Sequence, residues 1–265
     1  MLKILKTILA TCFLLVSLAF VFREKPVSAK FDSKIKVVVI DAGHGGKDPG
    51  TKGSVAREKN VALSVALELG RQIKEENPDI KVLFTRSTDV FIELGERSAF
   101  ANRNNADLFI SIHCNSTPHS KSARGTETYV MGLHKTEGNL DVAKRENSVI
   151  LQETNYKQKY KGFDPNSPLA HIMLANYQSA FISSSLRFAD YVEKKFQTVS
   201  ERDSRGVKQA GFLVLWRAAM PSVLIETGFL SSPNEERYLN SKDGQEEVAK
   251  SILQAFKVYK REMDL

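Results

Sequence analysis

A single α/β domain, with about six strands in a mixed, twisted sheet flanked by helices on both faces, is the fold this sequence predicts. Three observations carry that expectation. Short β-branched runs alternate with amphipathic stretches along the chain. No internal repeat, low-complexity tract or domain-separating linker interrupts them. The chain has 265 residues, 42% hydrophobic and 26% charged, enough to bury a core and unlike a disordered, collagenous or coiled-coil chain.

Residues 1–29 stand apart. Lys3 and Lys6 precede an apolar run from Ile8 to Phe22, interrupted by Thr11, Cys12 and Ser17, and Val27-Ser28-Ala29 supplies small residues before Lys30. This is the pattern of a cleaved secretory signal peptide, which leaves 30–265 as the mature domain. The run is short of the ~20 residues that span a bilayer, so no stable membrane insertion is expected after cleavage. A retained anchor and, through Cys12, a lipoprotein are the competing readings. The segment holds four basic residues and one acidic residue, so its loss lowers the net charge from +7 to +4. A mildly basic exported chain suits an anionic polymer. No basic cluster interleaved with aromatics points to nucleic acid. Cys114 is the only cysteine of the mature chain, which excludes an intramolecular disulfide and a Cys-rich zinc module.

In the mature chain, Lys36 to Asp41 (KVVVID) reads as a strand buried on both faces. Gly43 to Gly53 is a glycine-rich loop, and Glu58 to Lys74 has helical periodicity. Lys81 to Thr85 is the next strand, Glu93 to Asn104 a helix, and Asp107 to His113 (DLFISIH) a third strand. Thr126 to Met131 alternates as an edge strand does. Asn139 to Tyr160 is helical in propensity but very polar, and FDPNSP (163–168) breaks it. One long amphipathic helix is expected over Leu169 to Phe196, including Tyr177. Gly211 to Leu215 and Ser222 to Glu226 (SVLIE) read as the last two strands. A short helix from Ser232-Pro233 and a closing helix over Gln245 to Tyr259 follow.

Ligands of such sheets collect at the carboxyl ends of the strands. There the sequence places His44 in AGHGG, His113 before Cys114 and Asn115, and Glu226 at the end of an apolar strand; Glu58 opens a helix just after the glycine loop. A histidine between glycines is uncrowded, and a carboxylate ending an apolar strand is costly unless paired, metal-bound or at an opening. Two histidines and a glutamate match the three protein ligands of a catalytic zinc, and a further carboxylate beside them can take a proton from water. The spacing is long-range and there is no HExxH helix, so the inference rests on strand-end placement. His119, His134 and His171 lack that placement and are expected to be exposed or structural. Cys114 and His113 point to opposite strand faces, which argues against a Cys–His nucleophile. Trp216 is either a sugar platform or, as its place in the pattern favours, core or loop packing.

VVVIDAGHGGKDPG (37–50), REKNVAL (57–63), ADLFISIHCNS (106–116) and PSVLIETGFLSSPNEERYL (221–239), in that order and at fitting intervals, resemble the zinc-dependent N-acetylmuramoyl-L-alanine amidases of the third amidase family. The resemblance covers about 36–259. It implies a single α/β domain with a six-stranded mixed sheet and one Zn2+ per chain. His44, Glu58 and His113 match the family's metal ligands, and Glu226 its catalytic glutamate. The implied reaction is hydrolysis of the amide between the lactyl group of N-acetylmuramic acid and L-alanine in peptidoglycan, for cell-wall remodelling or daughter-cell separation. Export, with the periplasm as the destination, agrees with that substrate. Asn115 is expected either to donate to substrate or to make a local turn bond. Arg86 and Arg97 also match recurring positions and are expected mainly to fix loops through carboxylate pairing.

The segment 133–168 is longer and more charged than a minimal domain of this kind needs. The resemblance suggests an inserted helix that covers the zinc until an activator protein moves it, with Glu146 or Glu153 as the autoinhibitory plug. The simpler alternative is a helical excursion that shapes one wall of the substrate groove. Two rival functions have distinct signatures. A two-metal exopeptidase would need more acidic ligands, for which Asp41 and Asp48 are the local candidates. A non-catalytic peptidoglycan-binding module would be expected to lack a ligand or the base, and all four matching positions are present.

Overall fold

KVVVID forms strand β1 (Val37–Ala42), and its side chains alternate between two cores. Val38 and Ile40 enter one apolar cluster and Val39 the other, which is why the run lacks a polar face. The computed structural model describes residues 34–118, 120–176 and 180–264. The expected signal peptide, His119 and Tyr177 lie outside the described residues. No described helix is long and apolar enough to cross a membrane.

The remaining strands are β2 (Lys81–Phe84), β3 (Leu108–Asn115), β4 (Thr126–Met131), β5 (Ser204–Ala210) and β6 (Ser222–Phe229). They form one six-stranded sheet in the order β2-β1-β3-β6-β4-β5. β2, β1, β3 and β6 are parallel, β4 runs antiparallel to β6, and β5 is parallel to β4. The sheet is mixed, as expected. Connections leave β1 first toward β2 and then return past it to β3. The strand order therefore reverses between β1 and β3, where α/β sheets open their ligand crevice.

Eight α-helices are described: α1 (Glu58–Glu76), α2 (Leu94–Arg103), α3 (Glu137–Asn147), α4 (Tyr156–Lys159), α5 (Pro168–Ala175), α6 (Ile182–Val199), α7 (Pro233–Leu239) and α8 (Lys242–Met263). Val65 and Leu69 of α1, Phe188 and Val192 of α6, and Ile252 and Phe256 of α8 pack on one face of the sheet. The other face is covered by Leu94 of α2, Val142 and Ala143 of α3 and the stretch Phe212–Leu215.

Four expectations need correction. Gly211 to Leu215 is not a strand; it is a buried turn, and its apolar residues face the second core. The fifth strand lies just before it, in the polar run SRGVKQA, half-buried at the sheet edge. β4 is consequently an interior strand, between β6 and β5. The single helix expected over Leu169 to Phe196 is two: α5 ends at Ala175 and α6 begins at Ile182. The helix expected over Asn139 to Tyr160 stops at Asn147, passes into a 3₁₀ turn over Ser148–Gln152, and resumes only as the one-turn α4.

Candidate metal centre and active site

Each metal-binding candidate sits at the rim its strand dictates. β1 ends one residue before Gly43, and His44 follows in the left-handed region at φ 60°. Such a backbone is held only when its surroundings enforce it. Here Arg97 Nη2 donates to the His44 carbonyl at 2.8 Å, and Asp48 Oδ2 lies 2.7 Å from His44 Nδ1. The Asp48 carboxylate fixes the imidazole tautomer and leaves Nε2 as its free ligand atom. Two glycines make the space: a Cβ on Gly43 would lie 2.5 Å from the His113 ring, and one on Gly50 would lie 2.6 Å from Glu58 Oε2.

Glu58 is the first residue of α1 and is wholly buried. Thr51 N donates to its Oε2 at 2.7 Å and Cys114 N to its Oε1 at 2.9 Å. Glu58 Oε1 lies 3.0 Å from His44 Nε2 and 3.1 Å from His113 Nδ1. A fourth carboxylate joins from α3: Glu146 Oε2 stands 3.2 Å from His44 Nε2 and 3.0 Å from His113 Nδ1.

One ligand atom from each of His44, Glu58, His113 and Glu146 falls within 4.8 Å of the others. Ligands about 2.1 Å from a tetrahedral ion stand about 3.4 Å apart, so this donor set has the size of a zinc or similar site. His44 Nε2 and Glu146 Oε2 are buried and, despite their proximity, make no hydrogen bond of acceptable geometry. His113 Nδ1 and Glu58 Oε1 are 3.1 Å apart and within hydrogen-bond reach, but the two unpaired atoms aimed at the same point fit a shared cation. The titration tendencies agree. Burial opposes charge on His44, but Glu58 and Glu146 hold its imidazole well above the ordinary range. Burial likewise opposes charge on His113, and Glu146 with Glu58 raises it to about 9. Burial would raise Glu58, yet the histidines hold it at about 2. The cluster thus draws positive charge, which protons or one divalent ion can supply.

Glu226 is the direct ladder partner of His113 in the β3–β6 pair and is wholly buried. Its Oε1 accepts from Arg145 Nη2 at 3.2 Å, and its Oε2 has no hydrogen-bond partner among the described residues. Burial, opposed by Arg145 and aided by Glu146 and Glu58, raises its carboxyl to about 8. Such a group can hold or release a proton near neutrality.

The other expectations divide. Glu146 reaches the cluster, whereas Glu153 does not. On an unbroken helix, residues seven apart share a face; the 3₁₀ turn after Asn147 turns Glu153 away. Its Oε1 instead accepts from Leu94 N at 2.9 Å, closing the start of α2, and its Oε2 from Tyr160 OH at 2.8 Å. Asn115 is buried with its amide committed to protein: Nδ2 donates to Glu127 at 3.0 Å, and Oδ1 accepts from Arg145 at 3.1 Å. Arg97 pairs with Asp41 at 2.8 Å, as expected. Arg86 fixes loops through carbonyls and not carboxylates, donating to Ala42, Gly43, Thr88 and Lys59.

Asp41 also accepts from Thr85 and Ser111, and Asp48 serves His44, so neither is open to a second ion. Among the described residues there is one cluster able to hold a metal. Cys114 is buried, its thiol pushed well above the ordinary range by burial and by Glu58, which makes it an inert packing residue. His171 is buried and structural, its Nε2 2.9 Å from the Pro165 carbonyl. His134 is half-buried. Trp216 packs beside the second core, with the Arg217 guanidinium 4.0 Å over its ring. Sequence reasoning missed Arg145 and the His44–Asp48 pair. Arg145 carries no signal beyond its adjacency to Glu146, whereas Asp48 lies four residues from His44 inside the same loop.

Residues 38–257 match the family described as N-acetylmuramoyl-L-alanine amidase, Amidase_3. The chain belongs to that family. It is 36% identical over 226 residues to the N-acetylmuramoyl-L-alanine amidase AmiC of Escherichia coli O6:H1, covering 84% of this chain and 52% of that protein. It is 32% identical over 230 residues to AmiA of Escherichia coli K12, covering 86% and 77%. The match thus spans about half the length of that AmiC. Among solved structures, an N-acetylmuramoyl-L-alanine amidase from Clostridium difficile 630 superposes with a TM-score of 0.64 at 27% identity, covering 85% of this chain and 97% of that one. The catalytic domain of CwlV, from Bacillus (Paenibacillus) polymyxa var. colistinus, gives 0.59 at 31%, covering 85% and 98%.

Proposed function

We propose that the chain is a zinc hydrolase of peptidoglycan that cleaves the amide between the lactyl group of N-acetylmuramic acid and L-alanine. The observation that carries this reading is the convergence of His44, Glu58 and His113 at one rim of the sheet with Glu226 beside them. The family and the curated relatives support the bond specificity. His44 through Nε2, His113 through Nδ1 and Glu58 through Oε1 would hold the ion. When bound, it supplies a positive charge that polarises a carbonyl and acidifies water. Glu226 is the proton carrier. Its carboxylate takes the proton of the attacking water and delivers it to the alanine nitrogen as the C–N bond breaks. Arg86 and Arg97 hold the loops that carry His44 and Glu58.

The described state is closed to substrate. Glu146 fills the fourth ligand position, and Arg145 occupies the base. We infer that α3 is an autoinhibitory plug and must withdraw before the amide can approach. An activator protein is the fitting trigger. The neighbouring α5 exposes Leu169 and Met173, 64% and 68% accessible, on a helix joined to α3 through Asn147 and His171. Export through residues 1–29 to the periplasm would bring the domain to its polymer.

Mass spectrometry of purified peptidoglycan after digestion tests the activity. Peptides bearing a free L-alanine amine, released without chelator and not with it, are expected. Release of glycan fragments alone, or none under activating conditions, would overturn the reading.

A further inference from the structure

A cleft of about 690 Å³ opens beside the metal cluster, where the carboxyl end of β3 meets β4 and β5. Its charged lining consists of Glu127, Arg205 and Lys208 on the sheet, with Asp141 and Arg145 on α3. The sheet-borne group is organised around Glu127, which is buried. Glu127 Oε1 accepts from Arg205 Nε at 2.7 Å and stands 2.6 Å from Lys208 Nζ. Its Oε2 accepts from Tyr129 OH at 2.7 Å and Asn115 Nδ2 at 3.0 Å. Both carboxylate oxygens are therefore satisfied, and two cations face one anion. One positive charge is left over at the cleft floor.

That charge is presented in a usable form. The Arg205 side chain is 46% exposed and braced by its stack on Phe229, 5.1 Å from guanidinium to ring centroid. Only Nε is spent on Glu127; among the described residues the terminal nitrogens have no hydrogen-bond partner. A planar guanidinium with both terminal nitrogens available takes a carboxylate through paired hydrogen bonds. The position is also informative. Glu127 and Glu226 are ladder partners in the antiparallel β4–β6 pair. Their Cα atoms are therefore about 5 Å apart with side chains on the same face. The cation pair lies beyond Glu127, on the strand after β4 and so two strands from the base.

We propose that Arg205 and Lys208 form a receptor for a free carboxylate of the stem peptide. This rests on the amidase reading, in which an acidic residue follows the released alanine. The receptor stands on β5, so withdrawal of α3 removes Asp141 and Arg145 from the cleft and leaves it in place. Arg86 and Arg97, the arginines prominent in the sequence, cannot serve: both are buried and committed to the protein interior.

The test compares two muramyl peptides, one with glutamate after L-alanine and one with that free carboxylate converted to its amide. For the zinc-loaded full chain, KM for the amide form is expected to be about tenfold above that for the acid form, with similar kcat. In Arg205→Gln the ratio of the two KM values falls to about one, and in Arg205→Lys it is partly restored. A ratio near one in the wild type, or an unchanged ratio in Arg205→Gln, would overturn the proposal. Equilibrium binding of the free peptide and its amide to the same proteins gives a readout that needs no turnover. Tighter binding of the acid, lost in Arg205→Gln, supports the receptor; equal binding of acid and amide contradicts it. A chain that cleaves neither muramyl peptide under activating conditions counts against the amidase reading alone.

Discussion

The cradle formed by β1, β3 and the start of α1 differs in kind from the segment 137–163 that closes over it. His44, Glu58 and His113 are held by parallel strands, backbone N–H donors and two buried arginines. Glu146 arrives on a polar helix that ends at Asn147, gives way to a 3₁₀ turn, and is followed by left-handed turns at Asn155 and Lys161. Its polar anchors are the Thr136 cap, the Arg145 contacts, and Asn147 bonding Gly211 and Leu213, and Val142, Ala143, Val149 and Ile150 hold it to the second core. The comparison teaches that, on the proposed reading, three ligands would belong to the scaffold and the fourth to a part that withdraws.

The sharpest way to break this division is at the base. Glu226→Gln is expected to lower turnover by about 10²- to 10⁴-fold while bound metal is unchanged, because Glu226 faces the site without being one of its ligands. Metal content and peptide release on one preparation check both halves. Loss of metal would make Glu226 a structural ligand.

The removable part should act in the opposite direction. Glu146→Ala and Arg145→Ala are each expected to raise basal activity by about 10- to 100-fold, the effect of deleting one buried charged contact that favours the closed state. Activity of the full mature chain against a 140–165 deletion extends the test. Equal rates in all of these proteins would leave α3 as a wall of the groove and nothing more.

Much of the cradle was legible in the sequence because its residues obey strong local rules. Glycines beside a buried strand, a glutamate at a helix start and a carboxylate ending an apolar strand each carry a physical cost that points to a purpose. The missed strand shows the converse. SRGVKQA is polar because β5 is an edge strand with Arg205 and Lys208 turned to a cleft, whereas GFLVL is apolar because it covers the sheet, not because it is extended. Periodicity reports burial, and burial differs from strand geometry at both places. Glu153 falls away from the cluster for a related reason: a helix break leaves little trace in a uniformly polar run, yet it decides which carboxylate faces His44 and His113.

A smaller effect separates cradle from support. Glu236 of α7 accepts from Ser54 N at 3.0 Å and from Val55 N and Ala56 N at 2.7 Å, holding the loop that leads into Glu58. Burial would raise its carboxyl, but these bonds and the Ser54 hydroxyl lower it from 4.5 to about 2. Because its folded pKa is depressed, the stabilisation is complete above pH 4.5 and fades as pH falls toward 2. Glu236→Gln is expected to cost about 1–3 kcal/mol at pH 7 and to shrink the acid-side loss of stability, followed by thermal melts across that range. A variant with unchanged melts at both ends would detach α7 from the cradle.

The most direct measurement is the metal content of three purified proteins: the wild type, His113→Ala and Glu146→Ala. One zinc per chain in the wild type, none in His113→Ala and one in Glu146→Ala is the predicted result. Zinc retained without His113, or lost without Glu146, would contradict a site built from three fixed ligands and one removable one.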